Sequence, residues 1–164
     1  MKFHTFHFWR TLVLVLGLFL GASTSVWAHK ASDAYLEFND STVKFSIALR
    51  DLDAAIDTLD TNNDRSLIWG EIRQNLPVIQ SWVGDGMRID CNRKVMDLTW
   101  AFDSLEERPD GVYVRLSASI SCPSSGAIGV DYQLMKAVDS THRLLVGGVL
   151  QGRSEERRVG KECA

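Results

Sequence analysis

Asp60, Asn62 and Asp64 stand at alternate positions, with Ser66 two residues further on and Glu71 closing a segment of twelve residues. Oxygen-bearing side chains at positions 1, 3, 5, 7 and 12 are the ligand spacing of an EF-hand loop. A tightly turned chain can there aim alternate side chains at one hard cation, and the last Glu can chelate it with both oxygens. Leu67, at position 8, is the apolar residue that ties such a loop to a core. Two positions depart from the pattern. Position 6 is Arg65 where Gly normally supplies a positive φ, at a cost of roughly 1–2 kcal/mol for an L residue. Position 9 is Ile68, which brings no side-chain oxygen. Three carboxylates less one guanidinium leave the loop at −2, so the expected affinity for calcium is weak, of order 10⁻⁴–10⁻³ M. The competing reading is a polar turn between two helices, with Asn62 and Asp64 capping the second.

Other residues offer less. Cys91 and Cys122 form an even pair once the tail is set aside, and in an exported chain such a pair reads as a disulfide. A metal pair or two buried thiols are the alternatives. Closing that loop is worth roughly 3–4 kcal/mol on the chain-entropy model. A free amine and imidazole at His29, if the chain is cleaved before it, favour copper or nickel, and His142 could join them. Otherwise His29 is a terminal residue and His142 belongs to the turn Asp139-Ser140-Thr141-His142. Trp69, Trp82 and Trp100 line either a ligand groove or the core. No Ser-His-Asp set in recognisable context, His-Glu-x-x-His or glycine-rich phosphate loop occurs, so the chain is expected to be non-enzymatic. Asp51, Asp53 and Asp57 read as the first turn and solvent face of a helix, and Glu106-Glu107-Arg108 as a solvated loop.

The elements that position these residues follow from periodicity. Ala34–Phe38 and Val43–Leu49 alternate about the turn Asn39-Asp40-Ser41 and read as a hairpin. Leu52, Ala55, Ile56 and Leu59 then change to helical spacing, with Asp51 placed to cap the start. A second helix is expected over 69–83, bent or interrupted at Pro77. From Met87 the pattern is extended again: 87–91, 95–102, 112–120, 128–134 and 144–150 are candidate strands. Arg108-Pro109-Asp110-Gly111 and Pro123-Ser124-Ser125-Gly126 punctuate them. The expected fold is mainly β, a β-sandwich-like domain with a helix-loop-helix inserted at about 51–83.

The whole chain has 164 residues, 45% apolar and 24% charged, with a formal charge of −3. Its two ends distort that sum. Residues 1–28 read as an export signal: Lys2 and Arg10, the apolar run Leu12–Leu20, then Val26-Trp27-Ala28 before a cleavage point at His29. The run is short for a bilayer span, which takes roughly 20 residues. Residues 153–164 show neither strand nor helical period and resemble an in-frame translation of a sequencing adapter, so a non-native tail is expected. Between them, residues 29–152 hold 12 basic and 18 acidic residues. A net charge of −6 argues against nucleic acid as a partner.

Several segments together resemble the opening of HupE/UreJ-family membrane proteins. They are Ala28–Leu36, Ile47–Ala55, Ile68-Trp69-Gly70-Glu71, Cys122-Pro123, Val130–Leu134 and Asp139–Leu145, in that order. The resemblance implies an extracytoplasmic domain with an EF-hand-like loop on the periplasmic face of the inner membrane. In that family transmembrane helices follow the domain, so the chain is expected to be a C-terminally truncated fragment whose membrane partner region is missing. It also implies an accessory or transport role connected with hydrogenase or urease, with nickel the suspected cargo. The alternative is a free-standing periplasmic protein that binds copper or nickel through His29.

Overall fold

The computed structural model describes residues 32–64, 66–123, 126–150, 153–154 and 157–159. The expected signal segment, His29, Arg65 and most of the tail lie outside them. Strand β1 (Asp33–Asn39) and strand β2 (Thr42–Ala48) form the anticipated antiparallel hairpin, with Leu36 opposite Phe45 and Phe38 opposite Val43. Each strand sends alternate residues inward. Ala34, Leu36, Val43, Phe45 and Ile47 are fully buried, which is why the register is fixed.

Helix α1 (Leu49–Ala55) follows β2 without a loop, and α2 (Trp69–Gln74) and α3 (Leu76–Gly86) come after the acidic segment. The sequence suggests one bent helix over 69–83; the chain instead breaks at Asn75, and Pro77 occupies the second position of α3. Proline lacks an amide hydrogen and clashes with the preceding turn, so it is accommodated where no intrahelical bond is due. Helix α3 also runs three residues past the expected end. Asp51 does not cap α1. The N-cap is Ala48, and Asp51 lies within the first turn with its carboxylate buried.

The remainder is extended: β3 (Met87–Cys91), β4 (Lys94–Val95), β5 (Ala101–Arg108), β6 (Gly111–Ser119), β7 (Ile128–Tyr132) and β8 (Arg143–Leu150). Short strands β9 (Arg153–Ser154) and β10 (Arg157–Val159) add to the edge of β8. One sheet has the order β10-β8-β1-β2-β6-β5, with β9 also on β8, and the other is β4-β3-β7. Strands β1 and β8 are parallel; all other pairs are antiparallel. The domain is thus mainly β and sandwich-like, with few helices.

Three strand expectations need correction. The stretch 95–102 is not continuous, because β4 ends at Val95 and β5 begins at Ala101. Between them Trp100 turns into the core. Glu106-Glu107-Arg108 is not a loop but the end of β5, where Glu106 accepts from Arg115 at 2.6 Å and Arg108 at 3.0 Å. Cross-strand charge pairing replaces the apolar alternation that sequence reading relies on. Residues 153–154 and 157–159 pair as strands although they have no strand period. A backbone ladder on an open edge does not require one.

The core joins both sheets and the helices through Leu36, Phe45, Leu52, Leu59, Ile72, Ile79, Ile89, Leu116 and Leu144. Cys91 and Cys122 lie at disulfide-bond distance, with Cα atoms 5.7 Å apart, and tie β3 to the segment after β6. Gly126 packs directly on both sulfurs, where a Cβ has no room.

Candidate functional site

Two groups of polar side chains carry chemistry, and they are built differently. The first is the loop between α1 and α2. Helix α1 stops at Ala55, Leu59 plugs into the core, and Leu67 packs against the same core from the far end. The backbone between is turned by its own side chains. Asp64 N–H donates to Asn62 Oδ1 at 2.8 Å and to Asp60 Oδ1 at 3.3 Å, and Ser66 N–H donates to Asp64 Oδ1 at 2.8 Å. Such Asx turns are the reason Asp and Asn occupy alternate places. Asn63 adopts φ 59°, the left-handed conformation that Asn tolerates.

Glu71 closes the loop from α2. Its Oε1 accepts from Thr61 N–H at 3.0 Å and Thr61 Oγ1 at 2.9 Å, and its Oε2 accepts from Ile68 N–H at 3.2 Å. Those donors, the Ile68 amide first and Thr61 next, hold its carboxyl below the usual glutamate range. Asp53 of α1 feels the same cluster: burial first, then Asp60, Glu71, Asp57 and Asp64, push its carboxyl up. The structure therefore gathers Asp60, Asn62, Asp64 and Glu71 on one loop, with the exposed Ser66 contributing its amide. Among the described residues no group of three or more His, Cys, Asp or Glu side chains forms a ready metal cage. Glu71 is turned onto Thr61 and Ile68, so chelation requires it to exchange those donors for an ion. The donors are all hard oxygens, which suits calcium.

The second group was not legible as a site. His142 has a side chain only 1% exposed, set against Asp51, whose side chain is 8% exposed. The ring stacks on Tyr132 with centroids 5.7 Å apart. Its Nδ1 is 2.7 Å from Ser32 Oγ, and Ser32 Oγ donates to Asp139 Oδ2 at 3.1 Å. A hydroxyl has one proton; with that proton on Asp139, Ser32 accepts from His142, which fixes the Nδ1–H tautomer. The other nitrogen, Nε2, then accepts from Tyr132 O–H at 2.8 Å. The resulting chain runs Tyr132 to His142 to Ser32 to Asp139. This is not the order of a serine hydrolase, in which the carboxylate accepts from the histidine rather than from the serine. Both ring nitrogens are engaged, so His142 is not available to a metal in this arrangement.

Asp139 is held low by Thr141 side chain and backbone, then by Ser32 and His142. Burial pushes His142 down, opposed by Asp139 and Asp33. Burial pushes Asp51 up to about 6, against the pull of Arg50, whose Nε is 3.5 Å from Oδ1. Tyr132 is raised well above the ordinary phenol range by burial and by Asp51. Asp51 Oδ2 is buried, has no hydrogen-bond partner among the described residues, and lies 3.9 Å from His142 Nδ1.

The three tryptophans do not line one groove. Trp100 is core and borders a cleft of 220 Å³ with Met87, Val95, Met96 and Leu98. Trp69 is exposed and packs on Phe102, with ring centroids 5.0 Å apart, and Trp82 is half-buried against the core. No family model matches the chain, and no curated protein is detectably similar to it in sequence. No helix among the described residues is long and apolar enough to cross a membrane.

Proposed function

We propose that the chain is the non-enzymatic extracytoplasmic domain of a HupE/UreJ-like membrane accessory or transport protein, and that the loop 60–71 binds calcium weakly. The observation that supports the calcium reading is the turning of Asp60, Asn62 and Asp64 onto the loop's own amides. Asp60 Oδ1 and Asn62 Oδ1 converge on a single N–H, that of Asp64. Glu71 sits at the mouth of the same turn through Thr61. A cation entering that turn replaces backbone donors with a stronger positive charge, and Glu71 supplies the final chelating carboxylate. The net loop charge of −2 keeps the affinity in the range of extracellular modules. Such modules meet millimolar calcium outside the cytoplasm, and a cysteine pair at bonding distance fits an oxidising compartment.

The family part of the proposal rests on the ordered segments from Ala28 to Leu145, and its membrane attachment rests on the helices that follow the domain in that family. Genomic sequence beyond codon 152 tests it. A continuation into several hydrophobic helices is the expected result; a stop codon close to Leu150 overturns it.

A further inference from the structure

The group around His142 plays no part in calcium binding, yet it joins four distant parts of the chain. Asp51 belongs to α1, Ser32 precedes β1, Tyr132 ends β7, and Asp139 and His142 lie in the turn that leads to β8. Every hydrogen-bonding atom of the chain from Tyr132 to Asp139 is matched to a partner. One atom is left over: Asp51 Oδ2, buried and without a partner among the described residues, faces the imidazole across 3.9 Å. A buried carboxylate oxygen without a donor is costly, and the ring of His142 is a group able to supply one.

We infer that Asp51 and His142 form a proton-operated latch between α1 and the turn before β8, fastened when the pair takes up one proton and loosened when it is released.

The proton comes from solvent and no bond other than to hydrogen changes. With no proton on the pair, Asp51 is an anion beside a neutral ring whose only N–H is already given to Ser32. With one proton, either Asp51 becomes the donor or His142 becomes imidazolium; these are two arrangements of one titrating pair. In the second, the ring N–H on Nδ1 is drawn toward both Ser32 and Asp51, while Nε2–H turns to the Tyr132 oxygen and frees the tyrosine hydrogen to rotate. The imidazolium arrangement sets a cation against Oδ2 and so pulls α1 toward the turn; the protonated carboxyl does the same only when the ring moves its proton from Nδ1 to Nε2, leaving Nδ1 to accept from Asp51.

Burial acts first on both members, and the surrounding charges adjust it. From α1, Arg50 faces Asp51 and opposes uptake. From the β5–β6 turn, Asp110 favours it, although this carboxylate also accepts from Tyr113 O–H at 3.0 Å. From the turn before β8, Asp139 favours it for both members. From β1, Asp33 favours it at His142, though that aspartate is held by Arg143 of β8 at 2.7 and 2.9 Å. Tyr132 of β7 stays protonated. Burial outweighs Arg50 at Asp51 and pushes its carboxyl up to about 6, so the pair gains its proton in the mildly acid range.

Nuclear magnetic resonance of the whole chain tests this, following the His142 ring nitrogens, the Asp51 carboxyl carbon and exchange of the α1 amides from pH 4.5 to 8. The expected result is a shared midpoint for His142 and Asp51, with slower exchange of the α1 amides on its acid side after correction for intrinsic rates. Asp51→Asn is expected to weaken proton binding at His142 about tenfold, a downward shift of about one pH unit, and to abolish the change at α1. Separate midpoints in the wild-type chain overturn the proposal, as does a His142 midpoint left unmoved by Asp51→Asn. Should the variant fail to fold, the wild-type midpoints and the α1 amides decide the matter alone.

Discussion

The loop at 60–71 and the cluster at His142 each hold several charged or polar groups, but they settle them in opposite ways. In the loop, Asp60, Asn62 and Asp64 lie near water and take their hydrogen bonds from amides two to four residues away, and only Glu71 is buried, held by Ile68 and Thr61. In the cluster, groups more than a hundred residues apart meet in the interior, and one carboxylate oxygen goes without a donor. Local turns satisfy charge cheaply because the donors are already at hand and solvent screens what remains. Long-range burial removes the solvent first and must supply every partner from tertiary structure. The loop is therefore expected to tolerate substitution and respond to ions, whereas the cluster is expected to be costly to cut and to respond to protons.

The largest expected effect follows from cutting the cluster. His142→Ala removes a buried ring and leaves Ser32, Tyr132 and Asp51 without it, so it should cost about 3–4 kcal/mol in urea unfolding at pH 7. Asp64→Ala in the loop should cost less than about 1 kcal/mol in the same assay, its partners being exposed amides. Equal losses at the two sites would erase the distinction.

Next in size is the pH dependence of Asp51. Its native carboxyl, raised above the unfolded value of 3.8 to about 6, binds its proton more tightly when folded. Its favourable contribution is complete below the unfolded value and disappears as pH rises through about 6. Asp51→Asn does not titrate, so the stability of the variant relative to wild type should rise by about 2–3 kcal/mol between pH 4 and pH 8. His142, depressed by burial, adds an opposite trend, lost as pH falls through its native value; Asp51→Asn lowers that value further, so the two His142 contributions do not cancel and the variant's adds to the rise. Chemical denaturation of both proteins across that range measures the difference.

Smaller again is the response of the loop to calcium. Occupancy at ten times the dissociation constant stabilises a folded protein by about 1.4 kcal/mol, which corresponds to about 4 °C in melting temperature for a domain of this size. Magnesium, which resists dehydration and prefers strict octahedral geometry, should give less at equal concentration. Smallest is Arg65→Gly, which returns the loop charge to −3. A few-fold gain in calcium affinity is expected on charge alone, and calorimetry of the variant measures it.

The sequence made the strand pairs legible wherever one face is apolar. Val43, Phe45 and Ile47 alternate because one side of β2 is core, and Val112 to Ile120 do so on β6. It failed on β5, whose exposure alternates only between exposed and half-buried and whose Glu106 works by pairing with Arg108 and Arg115. The loop was readable because its ligands and its turns depend on the same short spacing. The cluster was not, since nothing local distinguishes an aspartate in a helix's first turn that faces water from one that faces a buried histidine. Asp51 and His142 look like a helix surface and a turn until β1, β7 and β8 bring them together. Their separation in the chain leaves no periodic trace.

The central claim, that Asp60, Asn62, Asp64, Ser66 and Glu71 constitute a weak calcium site, is tested most directly by isothermal calorimetry with calcium on the wild-type chain and on Glu71→Gln. Saturable heat with a dissociation constant of order 10⁻⁴–10⁻³ M in the wild type and none in the variant is the predicted result. The absence of heat in the wild type at millimolar calcium, or equal heat in both proteins, contradicts it.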